Sequence, residues 1–307
     1  MTNALVKTLI AVGAALVAVT AGAFAAEGTA PLKHQHWHFQ GIFGTHDPDA
    51  MQRGFQVYET VCSSCHGVDH LAFRNLGQKG GPFYLASCPE GVPDNVDCSN
   101  PNQNPIVKAI AANYKYQVMD GPDDTGDMFE RAPKPSDRIP GPYKNKQQAS
   151  AANNGAVPPD LSLIIKARHH GPDYVFSLLT GFEDAPPEFK LAPTQHYNPY
   201  FAGDMTTFLK EEYRDAEGKP LPNVEIPPGG VLAMAPPLSD GLIDYADPET
   251  PETVEQYARD VVEFLSWAAE PKMEERKALG FMTIAYLLIL ASILYWSYRE
   301  IWSKVEH

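Results

Sequence analysis

Apolar residues recur at helical spacing in only a few stretches of this chain. Phe55, Tyr58 and Val61 share one side of a segment that Asp47 and Pro48 open, with Asp as N-cap and Pro in the first turn. That helix runs straight into Cys62. Ile106 to Tyr116 reads as a second short helix and Leu161 to Arg168 as a third. Pro172 opens a fourth over Asp173 to Thr180, which Gly181 stops. The longest amphipathic pattern follows Thr250-Pro251, where Val254, Tyr257, Val261, Phe264, Leu265 and Ala268 line one face. Between these, residues 77–105, 119–160 and 183–230 are rich in Pro, Gly, Asn and polar side chains, carry no period, and read as long loops. No stretch alternates strictly enough to predict a strand, and no internal repeat is visible. The expected fold is mainly α, a few helices on long irregular connections, and such a fold needs something central to pack around.

Two longer apolar runs stand outside this pattern. Near the N-terminus, Lys7 precedes an Ala- and Val-rich run from Leu9 to Thr20, and Ala23-Phe24-Ala25 supplies a small-x-small cleavage site. Residues 1–25 therefore read as a bacterial secretory signal peptide, cut after Ala25 or Ala26; an uncleaved anchor is the rival. Near the C-terminus, Ala278 to Tyr298 contains no charged residue. At about 1.5 Å per residue that run spans a hydrocarbon core of roughly 30 Å. Tyr295, Trp296, Tyr298 and Trp302 gather at one end, where amphipathic rings favour the interface. The order of the two runs exports a body over 26–277, spans the membrane over 278–298 and leaves a tail over 299–307 inside. The expectation is a single-pass protein of the bacterial inner (cytoplasmic) membrane with its body on the periplasmic side. Arg299 and Lys304 fit the positive-inside rule only weakly, because Lys272, Arg276 and Lys277 flank the other end.

Charge narrows the partners. The 307 residues carry 38 Asp and Glu against 24 Lys and Arg, a formal net charge of -14. That argues against a nucleic-acid partner and suits a basic protein one. Acidic clusters over 120–130 and 244–263 are candidate docking surfaces, against the plainer reading of a solvated face.

The chemistry concentrates in Cys62-Ser63-Ser64-Cys65-His66. Cys-x-x-Cys-His is the attachment motif of c-type haem. Two thiols add to the two haem vinyl groups, and the adjacent His lies at the iron as proximal ligand. A thioredoxin-like pair would need strand–helix alternation around it, and a zinc site a second ligand pair, and neither is present. Cys88 and Cys98, close in sequence in an exported chain, are expected to form a disulfide. The iron's other face decides between electron transfer and catalysis, because a Met there raises the potential and closes the iron. Met234 is the first choice, since Pro236 and Pro237 stiffen the loop just after it. His169, His170, His196 and Met205 are the alternatives.

These segments resemble the cytochrome c1 family, the haem subunit of the quinol–cytochrome c oxidoreductases. The resemblance rests on Arg53-Gly54-Phe55-Gln56-Val57-Tyr58 before the motif, Phe73-Arg74 after it, and Asn154-Gly155-Ala156-Val157-Pro158-Pro159-Asp160-Leu161-Ser162. It continues through Ala167-Arg168-His169, Asp173 to Gly181, Tyr197-Asn198-Pro199-Tyr200-Phe201, Met234-Ala235-Pro236-Pro237 and Trp267-Ala268-Ala269-Glu270-Pro271. It implies a class I cytochrome c-like haem domain with long irregular insertions and one C-terminal transmembrane helix. It implies one covalent haem c on Cys62 and Cys65, His66 and Met234 as axial ligands, Pro159 packed on the haem, Arg168 bonded to a propionate, and Tyr174 in the pocket. The implied partners are cytochrome b and the Rieske iron–sulfur protein in a membrane complex, with a soluble or anchored cytochrome c as acceptor. The chain would carry electrons and do no bond chemistry of its own. The alternative is a membrane-anchored, peroxidase-like haem enzyme with an open iron position. Gly203 to Gly229 departs from the mitochondrial pattern as an insertion, and the loop around Cys88 and Cys98 departs too.

Overall fold

The computed structural model describes residues 28–303, so the leader expected over 1–25 lies outside the described residues, as does Lys304. The first helix, α1 (Pro48–Thr60), begins where the Asp47 carboxylate accepts the amides of Asp49 and Ala50. α2 (Phe73–Leu76) is a single turn, and α3 (Pro105–Ala112) is capped by Asn104. α3 ends at Asn113 rather than at Tyr116, because the Asn113 side-chain amide folds back onto the Ala109 carbonyl at 2.9 Å. The stretch expected to be loop over 119–160 holds a hairpin, β1 (Val118–Asp120) against β2 (Phe129–Arg131), and a short helix, α4 (Lys146–Ala152). α4 carries no apolar face for periodicity to detect.

The expected helix over Leu161–Arg168 is instead a series of turns. The amides of Ile164 and Lys166 close onto the carbonyls three residues back, at 3.2 and 3.0 Å. The chain must double back before α5 (Gly171–Leu179): His170 takes a left-handed φ of 51°, and a Cβ on Gly171 would meet the Ile165 carbonyl oxygen at 1.7 Å. Further on, β3 (His196–Asn198) pairs antiparallel with β4 (Gly230–Leu232), with His196 opposite Leu232. α6 (Val254–Ala269) starts at Thr253, whose hydroxyl caps the Gln256 amide, and not at Thr250. α7 (Met273–Trp302) has 30 residues and is long and apolar enough to cross a membrane.

The principal core lies where α1 crosses α6. Phe55 and Tyr58 set their rings 5.5 and 5.7 Å from that of Phe264. At the crossing the backbones touch, since a Cβ on Gly54 would meet the Asp260 carbonyl oxygen at 2.0 Å. Gly54→Ala should therefore push the helices apart and destabilise the fold by about 1–3 kcal/mol, as overpacked cores do. Chemical denaturation measures this, and an unshifted midpoint would contradict the close crossing. A satellite core of Phe189, Tyr197, Met205 and Leu209 organises the stretch that includes β3 and β4. Cys88 and Cys98 are joined, with their Cα atoms 5.1 Å apart. The acidic stretch over 244–263 is not one surface, because Asp260 and Glu263 are buried.

Candidate haem site

α1 delivers the Cys-x-x-Cys-His motif. Past Thr60 the helix tightens into a 3-10 turn over Cys62–Ser64, and the amides of Cys65 and His66 both donate to the Cys62 carbonyl, at 3.1 and 2.8 Å. Side chains brace the turn. Ser63 Oγ donates to the Glu59 carbonyl at 2.7 Å, and the Tyr116 hydroxyl donates to the Ser63 carbonyl at 3.1 Å. Cys62 and Cys65 are free and half-buried. Cys62 packs against the principal core, and burial pushes its thiol up to about 12.

The ring of His66 is oriented by one bond. Its Nδ1 lies 2.7 Å from the Pro159 carbonyl oxygen. A carbonyl only accepts, so Nδ1 carries the proton and Nε2 keeps its lone pair free. Burial lowers the pKa of His66 below the ordinary histidine value, against the opposing pull of the Pro159 carbonyl, and so favours the neutral ring. Pro159 is held in turn by lacing between two segments. Leu161 N donates to the Gly67 carbonyl at 2.8 Å, Asp69 N to Asp160 Oδ2 at 2.7 Å, and His70 N to Ser162 Oγ at 3.1 Å. The Tyr58 hydroxyl adds a bond to the His66 carbonyl at 3.2 Å, which ties the site to α1.

The structure thus brings Cys62, Cys65, His66 and Pro159 together, and gives Pro159 the role of fixing the imidazole. Neither that role nor those of Asp160 and Ser162 emerged from the sequence. The one available sign was Asp160-Leu161-Ser162, the pattern of an Asx turn, realised here as Ser162 N donating to Asp160 Oδ1 at 2.9 Å. Arg168 is exposed, donates from Nη1 to the Ala167 carbonyl at 3.1 Å, and makes no ion pair among the described residues. Tyr174 is half-buried on α5 against the principal core.

Met234 comes from a different part of the fold. It is half-buried two residues beyond β4, on a loop anchored at both ends: Val231 packs on the satellite core and Leu238 lies in the principal one. Among the other candidate ligands, Met205 is 1% exposed inside the satellite core, where its thioether serves packing. His169 and His170 are exposed, and His196 is half-buried in β3. The donor set fits a haem attached through two thioethers. It offers two thiols on one turn, an imidazole with Nε2 free, a thioether on a braced loop and a guanidinium that makes no ion pair among the described residues. Val157 and Leu163, before and after Pro159 in the chain, are 45% and 44% exposed.

Helical architecture and the Cys-x-x-Cys-His turn define the class as a cytochrome, one that carries a helix long and apolar enough to cross a membrane. The sequence profile of the Cytochrome C1 family matches residues 37–305. The chain is 37% identical, over the full length of both proteins, to cytochrome c1 of Rhodospirillum rubrum. It is 36% identical to the cytochrome b-c1 complex catalytic subunit of Candida albicans mitochondria, over all of this chain and 94% of that one. It is also 39% identical to the protein named cytochrome b/c1 of Bradyrhizobium diazoefficiens, where 96% of this chain spans 39% of the longer relative. The chain belongs to the cytochrome c1 family. The peroxidase-like alternative finds no support in these matches.

Proposed function

We propose that this chain is the haem-carrying electron-transfer subunit of a quinol–cytochrome c oxidoreductase. It takes one electron at a time from a Rieske iron–sulfur protein, beside cytochrome b in a membrane complex, and passes it to a soluble or anchored cytochrome c. The observation that carries the reading is the hydrogen bond from His66 Nδ1 to the Pro159 carbonyl, because it fixes the tautomer a haem ligand needs. When bound, a single haem c supplies an iron that changes oxidation state by one electron. Cys62 and Cys65 would hold it by thioethers, His66 Nε2 and the Met234 thioether would ligate its iron, and Arg168 would meet a propionate with a charge-assisted bond. With His66 and Met234 both ligating the iron, peroxide or gas would find no free position there, and the chain would carry electrons without bond chemistry of its own. The body lies on the periplasmic side, tethered by α7.

The acidic β1–β2 hairpin is the better docking candidate for a basic acceptor. Arg131 compensates part of it by pairing with both Asp120 and Asp137. Affinity purification from membranes tests the whole reading. One covalent haem per chain, together with haem reduction by quinol that disappears without the co-purifying subunits, is the expected result. Peroxide turnover by the isolated chain with a five-coordinate spectrum would overturn it. Within the site, Asp160→Ala should unlace Pro159 and loosen His66. Losing such a supporting shell costs roughly 10–100-fold in metal-ligand affinity. Titration of the holoprotein with imidazole, followed at the main haem absorption band, reads this as easier ligand displacement, and wild-type resistance would remove Asp160 from the positioning network.

A further inference from the structure

Residues 41–45 leave the core after Phe39 and re-enter it at His46, both of which are buried. Two glycines shape this loop. Gly41 adopts a φ of +76°, and a Cβ on Gly44 would meet the Gln40 carbonyl oxygen at 2.0 Å. The loop holds Ile42 and Phe43 outward at 73% and 77% exposure, the two most exposed large apolar side chains among the described residues. Paired exposed apolar side chains on a tightly shaped loop mark a contact surface rather than a packing accident.

What the loop touches identifies that contact. It is lashed to the first turns of α7. Lys277 Nζ donates to the Phe39 and Gly44 carbonyls at 2.7 and 2.8 Å, and the His46 amide donates to Glu274 Oε1 at 2.9 Å. The Phe43 ring lies 6.3 Å from the ring of Phe281. Phe281 is itself 63% exposed and sits one turn inside the uncharged run that starts at Ala278, roughly 5 Å along the helix axis.

We infer that Ile42 and Phe43 insert into the edge of the lipid bilayer beside α7, as a second membrane contact of the haem-bearing domain. The inference rests on the proposed reading of α7 as a membrane span. The apolar surface of Phe43 continues that of α7 at Phe281, so whatever medium surrounds the start of the span also surrounds the loop. A helix alone would leave the domain free to swivel on its tether. The loop and helix, held together by Lys277 and Glu274, fix its tilt against the membrane plane, and so fix which face of the domain is presented to partners in and above the bilayer.

Spin labels on the full-length holoprotein test this in phosphatidylcholine–phosphatidylglycerol vesicles. Single substitutions Phe43→Cys, Leu287→Cys in the middle of the span and Glu217→Cys on an exposed turn each carry one label. Collision rates with oxygen and with a water-soluble nickel chelate are then compared. The expected result is an oxygen-to-nickel ratio at position 43 several-fold above that at 217 and approaching that at 287. A ratio at 43 equal to that at 217, with 287 still lipid-like, overturns the inference and leaves the span intact. Shielding of position 43 from both reagents means that protein covers it, and also overturns the inference. An aqueous reading at 287 refutes the span itself.

Discussion

Met234→Leu should lower the reduction potential of the holoprotein by on the order of 0.1–0.3 V, a sizeable share of the roughly 0.8 V that axial ligands command across haem proteins. Leucine keeps the volume and apolar character of the side chain. The loop anchors at Val231 and Leu238, and the stiffening Pro236 and Pro237, are untouched. With Met234 as the proposed iron ligand, what would disappear is the neutral sulfur donor, which favours the reduced iron, and its loss would favour the oxidised state. For a one-electron couple, about 59 mV is tenfold in equilibrium constant, so a drop of 0.1 V moves the electron balance with a donor roughly 50-fold the wrong way. Spectroelectrochemical titration reads the potential, and the low-spin spectrum reads the coordination. If both match wild type, Met234 is not at the iron, and His196, half-buried opposite Leu232 in the adjoining ladder, becomes the residue to replace next.

The parts of the fold that sequence alone predicted are those where one local rule decides. Asp47-Pro48 started α1 because an N-cap carboxylate and a preset φ act within two residues. The face of α6 was visible because Glu255 and Arg259 stay exposed between the buried positions Tyr257, Val261, Phe264 and Leu265. α7 was visible from the uncharged run Ala278 to Tyr298 within it. The errors came where distant contacts outvoted local preference. Leu161–Arg168 has helical residues, but Asp160 and Ser162 are committed to the backbone around His66, and the chain must reverse before Gly171. The hairpin at 118–131 is held by Arg131 reaching Asp120 and Asp137, pairings that no period reveals. At the candidate site the covalent motif was legible because its chemistry is contiguous. The partner of His66 was not, because Pro159 is 93 residues away and contributes only its main-chain carbonyl.

The second large effect concerns the joint between α1, which delivers the motif, and α6, which precedes α7. Asp260, fully buried on α6, accepts both arms of the Arg53 guanidinium, Nε and Nη2, at 2.9 Å each. It also accepts the Tyr245 hydroxyl at 2.8 Å and Gln256 Nε2 at 3.1 Å. Burial, and then the adjacent Asp260 carboxylate, push the Tyr245 phenol well above its ordinary pKa, so it stays protonated and donating at neutral pH. Every strong donor around the carboxylate is therefore satisfied by one side chain. Asp260→Ala strands a partly buried guanidinium and orphans two further donors, and breaking a buried ion pair from one side costs about 3–5 kcal/mol. Arg53→Ala should cost about as much, because it leaves the Asp260 carboxylate, 1% exposed against 24% for Arg53, without a counter-charge and with only two neutral donors. Because the two residues share one network, the double variant should be less destabilised than the sum of the singles, by roughly 0.5–3 kcal/mol. Denaturation of the four proteins of this cycle measures the coupling directly. Simple additivity would mean that the bidentate pair contributes nothing of its own, and that the close crossing at Gly54 and the aromatic contacts of Phe264 hold the α1–α6 joint.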